Sequence, residues 1–137
     1  MNSGPTSEKS YAFALKVVHL ARGLQHDKKE YVLSRQLLRS GTSIGANVQE
    51  ASAGLTRADF AAKLGVASKE ARETRYWLHL LLDSGYLDKH VADPMLRDCE
   101  ELVRLLSASV KSLQNSLSMG RRPRPRMRRP VPKQLNT

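Results

Sequence analysis

The sequence predicts an all-α fold, an antiparallel up-down-up-down four-helix bundle followed by a disordered basic C-terminal tail, and three observations carry this. Apolar residues recur at three- and four-residue spacing over four separate stretches, and no stretch of any length keeps the two-residue alternation of a strand. Phe and Trp are scarce, two and one in 137 residues, so Leu, Val and Ala must build the core, which suits helix packed on helix. The connections are short, which makes neighbouring helices antiparallel. One domain fits the length, and a chain of this size hides roughly two-thirds of its unfolded surface without help from metal or disulfide.

Residues 1–6 read as a disordered start, with Gly4 and Pro5 as breakers and Thr6 or Ser7 as the helix cap. From Ser7 to about Gln25, Phe13, Val17, Leu20 and Leu24 fall on one stripe, and Gly23 with His26-Asp27 marks the end. A second helix is expected from about Lys28 to Ala53, with Leu33, Leu37, Ile44, Val48 and Ala51 as its stripe. Its middle, Ser40-Gly41-Thr42-Ser43-Ile44-Gly45-Ala46-Asn47, is poor in helix formers, each glycine costing about 1 kcal/mol relative to alanine. The helix is nevertheless read as continuous, because Ile44 and Val48 stay in register. Gly41 and Gly45, four apart, share a face where another backbone can come close.

Thr56 and Asp59 make a capping-box-like start for a third helix, along which Phe60, Leu64, Ala67, Ala71, Thr74, Leu78 and Leu81 step by four and three. It ends near Gly85 and would be about 44 Å long. A fourth begins between Asp88 and Pro94, with Pro94 in its first turn and Asp93 as cap. Leu96, Cys99, Val103, Leu106, Val110, Leu113 and Leu117 form its seam, and Gly120 ends it. The bundle is thus expected over residues 7–118 and the tail over 119–137, where Pro123, Pro125, Pro130 and Pro132 forbid helix.

The formal charge of +10 is unevenly placed. The tail holds Arg121, Arg122, Arg124, Arg126, Arg128, Arg129 and Lys133 with no acid, leaving 16 basic and 13 acidic side chains for the rest of the chain. Cys99 is the single cysteine, which excludes an intramolecular disulfide and suits a reducing compartment. The polar N-terminus lacks the apolar core of a secretion signal, and no apolar run approaches a membrane span, so the expectation is a cytoplasmic protein without membrane contact.

The run from Gln36 to Glu50, Gln-Leu-Leu-Arg-Ser-Gly-Thr-Ser-Ile-Gly-Ala-Asn-Val-Gln-Glu, resembles the signature of the small four-helix bundle proteins also called the 23S rRNA intervening-sequence protein family. The opening Ser10-Tyr11-Ala12-Phe13, the pair Asp59-Phe60 and the run Ala67–Leu82 with Glu70, Glu73, Trp77 and Leu78 match as well. The resemblance covers roughly residues 8–118. It implies a bundle of this topology, assembly into ring-like pentamers, and no catalytic residues or cofactor to carry over. Related proteins are accessory factors of diversity-generating retroelements, so the resemblance also brings a reverse transcriptase and RNA into view as partners. The Arg-Pro tail lies outside the family pattern.

Residues able to carry chemistry do not converge. His19, His26, His79 and His90 show no metal-ligand spacing, and Cys99 falls in the fourth seam, where a cysteine acts as a small apolar residue. Arg39, Ser43, Asn47 and Glu50 share a face that Glu70 and Glu73 can meet from the third helix. One reading is a buried polar network fixing helix register, in which Asn47→Ala costs much stability; the other is a ligand or subunit contact. Tyr76 and Trp77 lie beside Arg72 and Arg75, where aromatics stack on bases or pack at subunit edges. Arg72, Arg75 and the tail cations are the candidate nucleic-acid contacts. Seven phosphate contacts on a single strand give a salt slope near 5, at about 0.7 per contact. The expectation is therefore a non-enzymatic, cofactor-free, homo-oligomeric bundle that binds RNA or DNA; the competing one is a protein–protein scaffold whose tail is incidental.

Overall fold

A computed structural model describes residues 4–120. They form four helices: α1 (Pro5–Asp27), α2 (Leu33–Ser52), α3 (Arg57–Asp83) and α4 (Lys89–Gly120). Each packs antiparallel against the next. The α2–α3 and α3–α4 seams are the most extensive, α1–α2 follows, and α1–α4 closes the ring with the least contact. Phe13, Val17 and Leu24 of α1 meet Leu37, Ile44 and Val48 of α2, with Leu64, Leu78 and Leu81 of α3 and Cys99, Leu102 and Leu106 of α4 completing one core. Burying a side chain of this kind stabilises by about 1.5–3 kcal/mol, so the stripes hold the helices together. The Arg-Pro tail, from Arg121 onward, lies outside the described residues.

The ends of the helices depart from the sequence reading in three places. Pro5 and Thr6 belong to α1, because proline fits the first helical position with φ already set; Gly4 is the cap, its carbonyl accepting from the Glu8 N–H at 2.9 Å. The segment 28–32 is a connection and not the start of α2. Lys29 adopts φ 54°, and both Lys28 and Glu30 donate their N–H to the Leu24 carbonyl, which turns the chain out of α1. The buried Glu30 carboxylate then accepts the N–H groups of Leu33 (2.5 and 3.0 Å) and Ser34 (3.3 Å), capping α2 from three residues upstream. Finally, α4 starts at Lys89, within the expected range, with the Asp88 carbonyl accepting from Val91 and Ala92, but Pro94 lies in its second turn and not its first, and Asp93 is not the cap.

The glycine-bearing middle of α2 is an unbroken helix, and α1 packs closely on it. A methyl group at Gly41 would stand 2.7 Å from Val17 Cγ1, and one at Gly45 would stand 3.4 Å from the Ser10 backbone carbonyl oxygen. The glycines trade helix propensity for this approach. Thr56 caps α3 by accepting the Asp59 N–H at 3.0 Å, and Gly85 at φ +86° ends that helix. The sparse α1–α4 seam is bridged by two ion pairs, Lys9–Glu101 and Lys16–Asp98 (2.7 Å).

Candidate nucleic-acid interface

Six helix-surface residues read from the sequence as one network divide into separate contacts. Arg39 bridges from α2 to α3, where Nη1 meets Glu70 at 3.2 Å and Nη2 meets Glu73. The hydrogen bond to Glu73 is the main cause that raises the Arg39 pKa above its usual value. Desolvation pulls Glu73 upward, but the hydrogen bonds from Arg39 and from the Trp77 indole N–H (3.3 Å) win and leave it below the usual carboxylate range. Ser43 and Asn47 turn inward along their own helix: Ser43 Oγ donates to the Arg39 carbonyl at 2.6 Å, and Asn47 Nδ2 to the Ser43 carbonyl at 2.8 Å. Glu50 pairs instead with Lys63 at 2.7 Å.

The network is therefore only partly buried, since Arg39 is 49% and Glu50 60% exposed while Glu70 is 12% exposed. The buried polar link between α2 and α3 is Thr74 Oγ1 donating to Ser40 Oγ at 2.9 Å, and every buried side-chain polar atom of the described residues has a partner. Asn47→Ala removes only a half-buried bond to its own helix, so it should cost less than about 1 kcal/mol in chemical denaturation. A loss of several kcal/mol would show that Asn47 supports more than its own helix.

Cys99 is buried and its Sγ donates to the Ala71 carbonyl at 3.2 Å, so it is a packing residue between α4 and α3. Burial pushes its thiol up to about 12, with the Glu100 charge adding to the effect. The folded protein should hence resist thiol reagents near pH 8 and react only as fast as it opens. Because the folded pKa is raised, the thiol's contribution to stability is complete below pH 9 and is lost as pH rises toward 12. Fast native-state labelling would contradict this placement. The four histidines are all exposed, and among the described residues no three His, Cys, Asp or Glu side chains converge as metal ligands.

Some surface cations pair with acids across a seam and others do not. The α1–α4 cations Lys9 and Lys16, and the α2–α3 cations Arg39 and Lys63, all pair with acids. Across the α3–α4 seam Ser68 faces Ser107 at 3.5 Å and Arg75 faces Glu100 at 3.5 Å. Beside this seam lie exposed Arg72 on α3 and exposed Arg97, Arg104 and Lys111 on α4, while exposed Lys69 lies further round α3, where its charge helps to hold the Glu73 carboxylate ionised. Among the described residues none of these five forms an ion pair, while Arg75 is partly neutralised by Glu100. On α4, Arg97 and Arg104 share one cleft with the acids Asp93, Asp98, Glu100 and Glu101.

The structure thus brings Arg72 to a cationic surface and commits Arg75 to a helix contact; the tail cations Arg121, Arg122, Arg124, Arg126, Arg128, Arg129 and Lys133 lie outside the described residues. Lys69, Arg97, Arg104 and Lys111 were missed in the sequence reading. Their signal was present, since 97, 104 and 111 repeat every seven residues and so share one side of α4. Trp77 packs against the core, whereas Tyr76 is 59% exposed.

Of the clefts that border α1, two are larger than the rest. One of about 400 Å³ lies where the start of α1 meets Val48, Phe60, Leu64 and Leu106. The other, about 310 Å³, runs between α1 and α2 along Tyr11, Ala14, Thr42, Gly45, Ala46 and Gln49. Among the described residues no helix is long and apolar enough to cross a membrane.

Residues 6–108 match the family model described as 23S rRNA-intervening sequence protein. A solved structure from Bacteroides thetaiotaomicron, described as a protein of unknown function from the S23 ribosomal protein family, is similar at 44% identity and a TM-score of 0.76. The match covers 77% of this chain and 98% of that one. No curated protein matches the sequence. With the bundle, the helix-two motif and most of its length matched, the chain belongs to the 23S rRNA-intervening sequence protein family.

Proposed function

We propose that this protein is a non-enzymatic, nucleic-acid-binding bundle that lies along a phosphate backbone with its α3–α4 face and its Arg-Pro tail. The carrying observation is the set of exposed cations Arg72, Arg97, Arg104 and Lys111 beside that seam, with Lys69 further round α3, none of them in an ion pair among the described residues. The tail, which adds seven cations, continues from α4 beyond Lys111. Lysine and arginine in such a stripe neutralise phosphates without reading sequence, which gives affinity that falls steeply with salt. The family name, with its reference to ribosomal RNA, agrees with RNA as the ligand.

Gel shift of the full chain against single-stranded RNA and DNA tests this. The triple variant Arg72→Gln, Arg104→Gln and Lys111→Gln should bind more weakly and lose about 0.7 of salt slope per contact. An unchanged slope would remove the bundle face from the interface. The scaffold reading draws its support from the apolar α1–α2 groove, lined in part by the half-exposed Tyr11. Such a groove suits a second copy of the chain, and the two readings combine if the bundle assembles before it binds. Light scattering on the purified protein reads the assembly directly, and a clean monomer at micromolar concentration would remove it.

A further inference from the structure

Tyr76 stands out on the α3 surface because it is held in place and yet open. Its ring meets that of Trp77 edge-on, with centroids 5.1 Å apart and planes at 73°. Trp77 is itself anchored, packed against the core and donating its indole N–H to Glu73, which Arg39 holds from α2. The chain Arg39–Glu73–Trp77 therefore supports an aromatic ring that touches Trp77 and is otherwise open, 59% exposed. At 3.6 residues per turn, Lys69, Arg72, Tyr76 and His79 fall within one outward sector of α3, with Arg72 about 6 Å along the axis from Tyr76. Gly65 continues the sector, and a methyl group there would meet nothing within 4 Å.

We infer that Tyr76 is a stacking platform for an unpaired base, with Arg72 and Lys69 on the flanking phosphates, so that the face selects single-stranded over duplex nucleic acid. This rests on the nucleic-acid reading above and adds strand selectivity to it. A duplex keeps its bases stacked on each other and offers the ring nothing, whereas a single strand presents a free π-face of any base. The tyrosine carries no charge, so its contribution should be independent of salt, in contrast to that of the cations.

The test uses the full chain with fluorescently labelled oligouridylate, oligothymidylate and a DNA duplex, with Trp77 emission as a second readout. Tyr76→Ala should weaken binding to both single strands roughly tenfold, leave duplex binding and the salt slope unchanged, and abolish strand-dependent change in Trp77 emission. Tyr76→Phe, which keeps the ring, should bind within about twofold of the parent. Wild-type binding to single strands that survives Tyr76→Ala intact would overturn this inference alone. Equal loss on single strands and duplex would also overturn it, by showing a structural effect. If the wild type binds none of the probes at low salt, the nucleic-acid reading itself fails and takes the platform with it.

Discussion

Gly41→Ala should destabilise the bundle by about 1–3 kcal/mol, although helix propensity alone favours alanine by about 1 kcal/mol. The added methyl would stand 2.7 and 2.8 Å from the two Cγ atoms of Val17, and Val17 is wholly buried, so neither helix can yield without opening the α1–α2 seam. The same substitution at Gly65 meets open space and should stabilise by up to about 1 kcal/mol, since only the propensity gain remains. Chemical denaturation of the two variants should therefore move the midpoint in opposite directions. Adding Val17→Ala to Gly41→Ala should recover part of the loss, giving a coupling energy that two independent sites would not show. A Gly41→Ala protein as stable as the parent would mean that α1 does not approach α2 as described.

Phe13→Ala should cost about 3–5 kcal/mol, a large part of the 5–15 kcal/mol that holds a typical domain. Phe13 is the largest side chain α1 buries, and α1 is the helix with the least to lose before it detaches. Beyond the shared core it meets α4 through two ion pairs between half-exposed groups, and such pairs contribute about 0–1 kcal/mol each. Amide exchange on the variant should show α1 losing protection ahead of α2, α3 and α4. Uniform loss of protection across all four helices would show instead that α1 is integral to one cooperative unit.

The bundle was legible because its stripes are long and regular. Leu64, Ala67, Ala71, Thr74, Leu78 and Leu81 step along α3 by three and four, and all are buried in the structure. The α2 glycines were legible for a second reason, since the apolar period ran through them and overrode local propensity. Helix ends were less so. A buried glutamate capping α2 from outside it, as Glu30 does, leaves no Ser, Thr, Asp or Asn at the cap position to betray it. Proline misled at both ends: Pro5 starts a helix one residue after a glycine that looked like a breaker, and Pro94 is tolerated inside α4.

The polar surface was read in part. The partners Arg39, Glu70 and Glu73 follow from helix spacing, but depth does not, because long side chains reach the surface from an inner position. What sequence spacing obscured most was charge balance. Which cations remain free depends on which acids face them across a seam, and Arg75 and Arg72, three residues apart, differ in this respect. Glu100 takes one of them and leaves the other to solvent, a distinction that exists only once α3 and α4 are in register.

Free cations on α3 and α4, continued by a tail of seven more, make a definite electrostatic demand. The salt dependence of nucleic-acid binding by the full chain measures it most directly. The logarithm of the association constant for a single strand should fall with the logarithm of salt at a slope of about −5 or steeper. Replacing all seven tail cations by glutamine should leave a shallower slope that the α3–α4 face alone supplies. Absence of binding at low salt, or an affinity indifferent to salt, would contradict the proposal that this bundle works on a phosphate backbone.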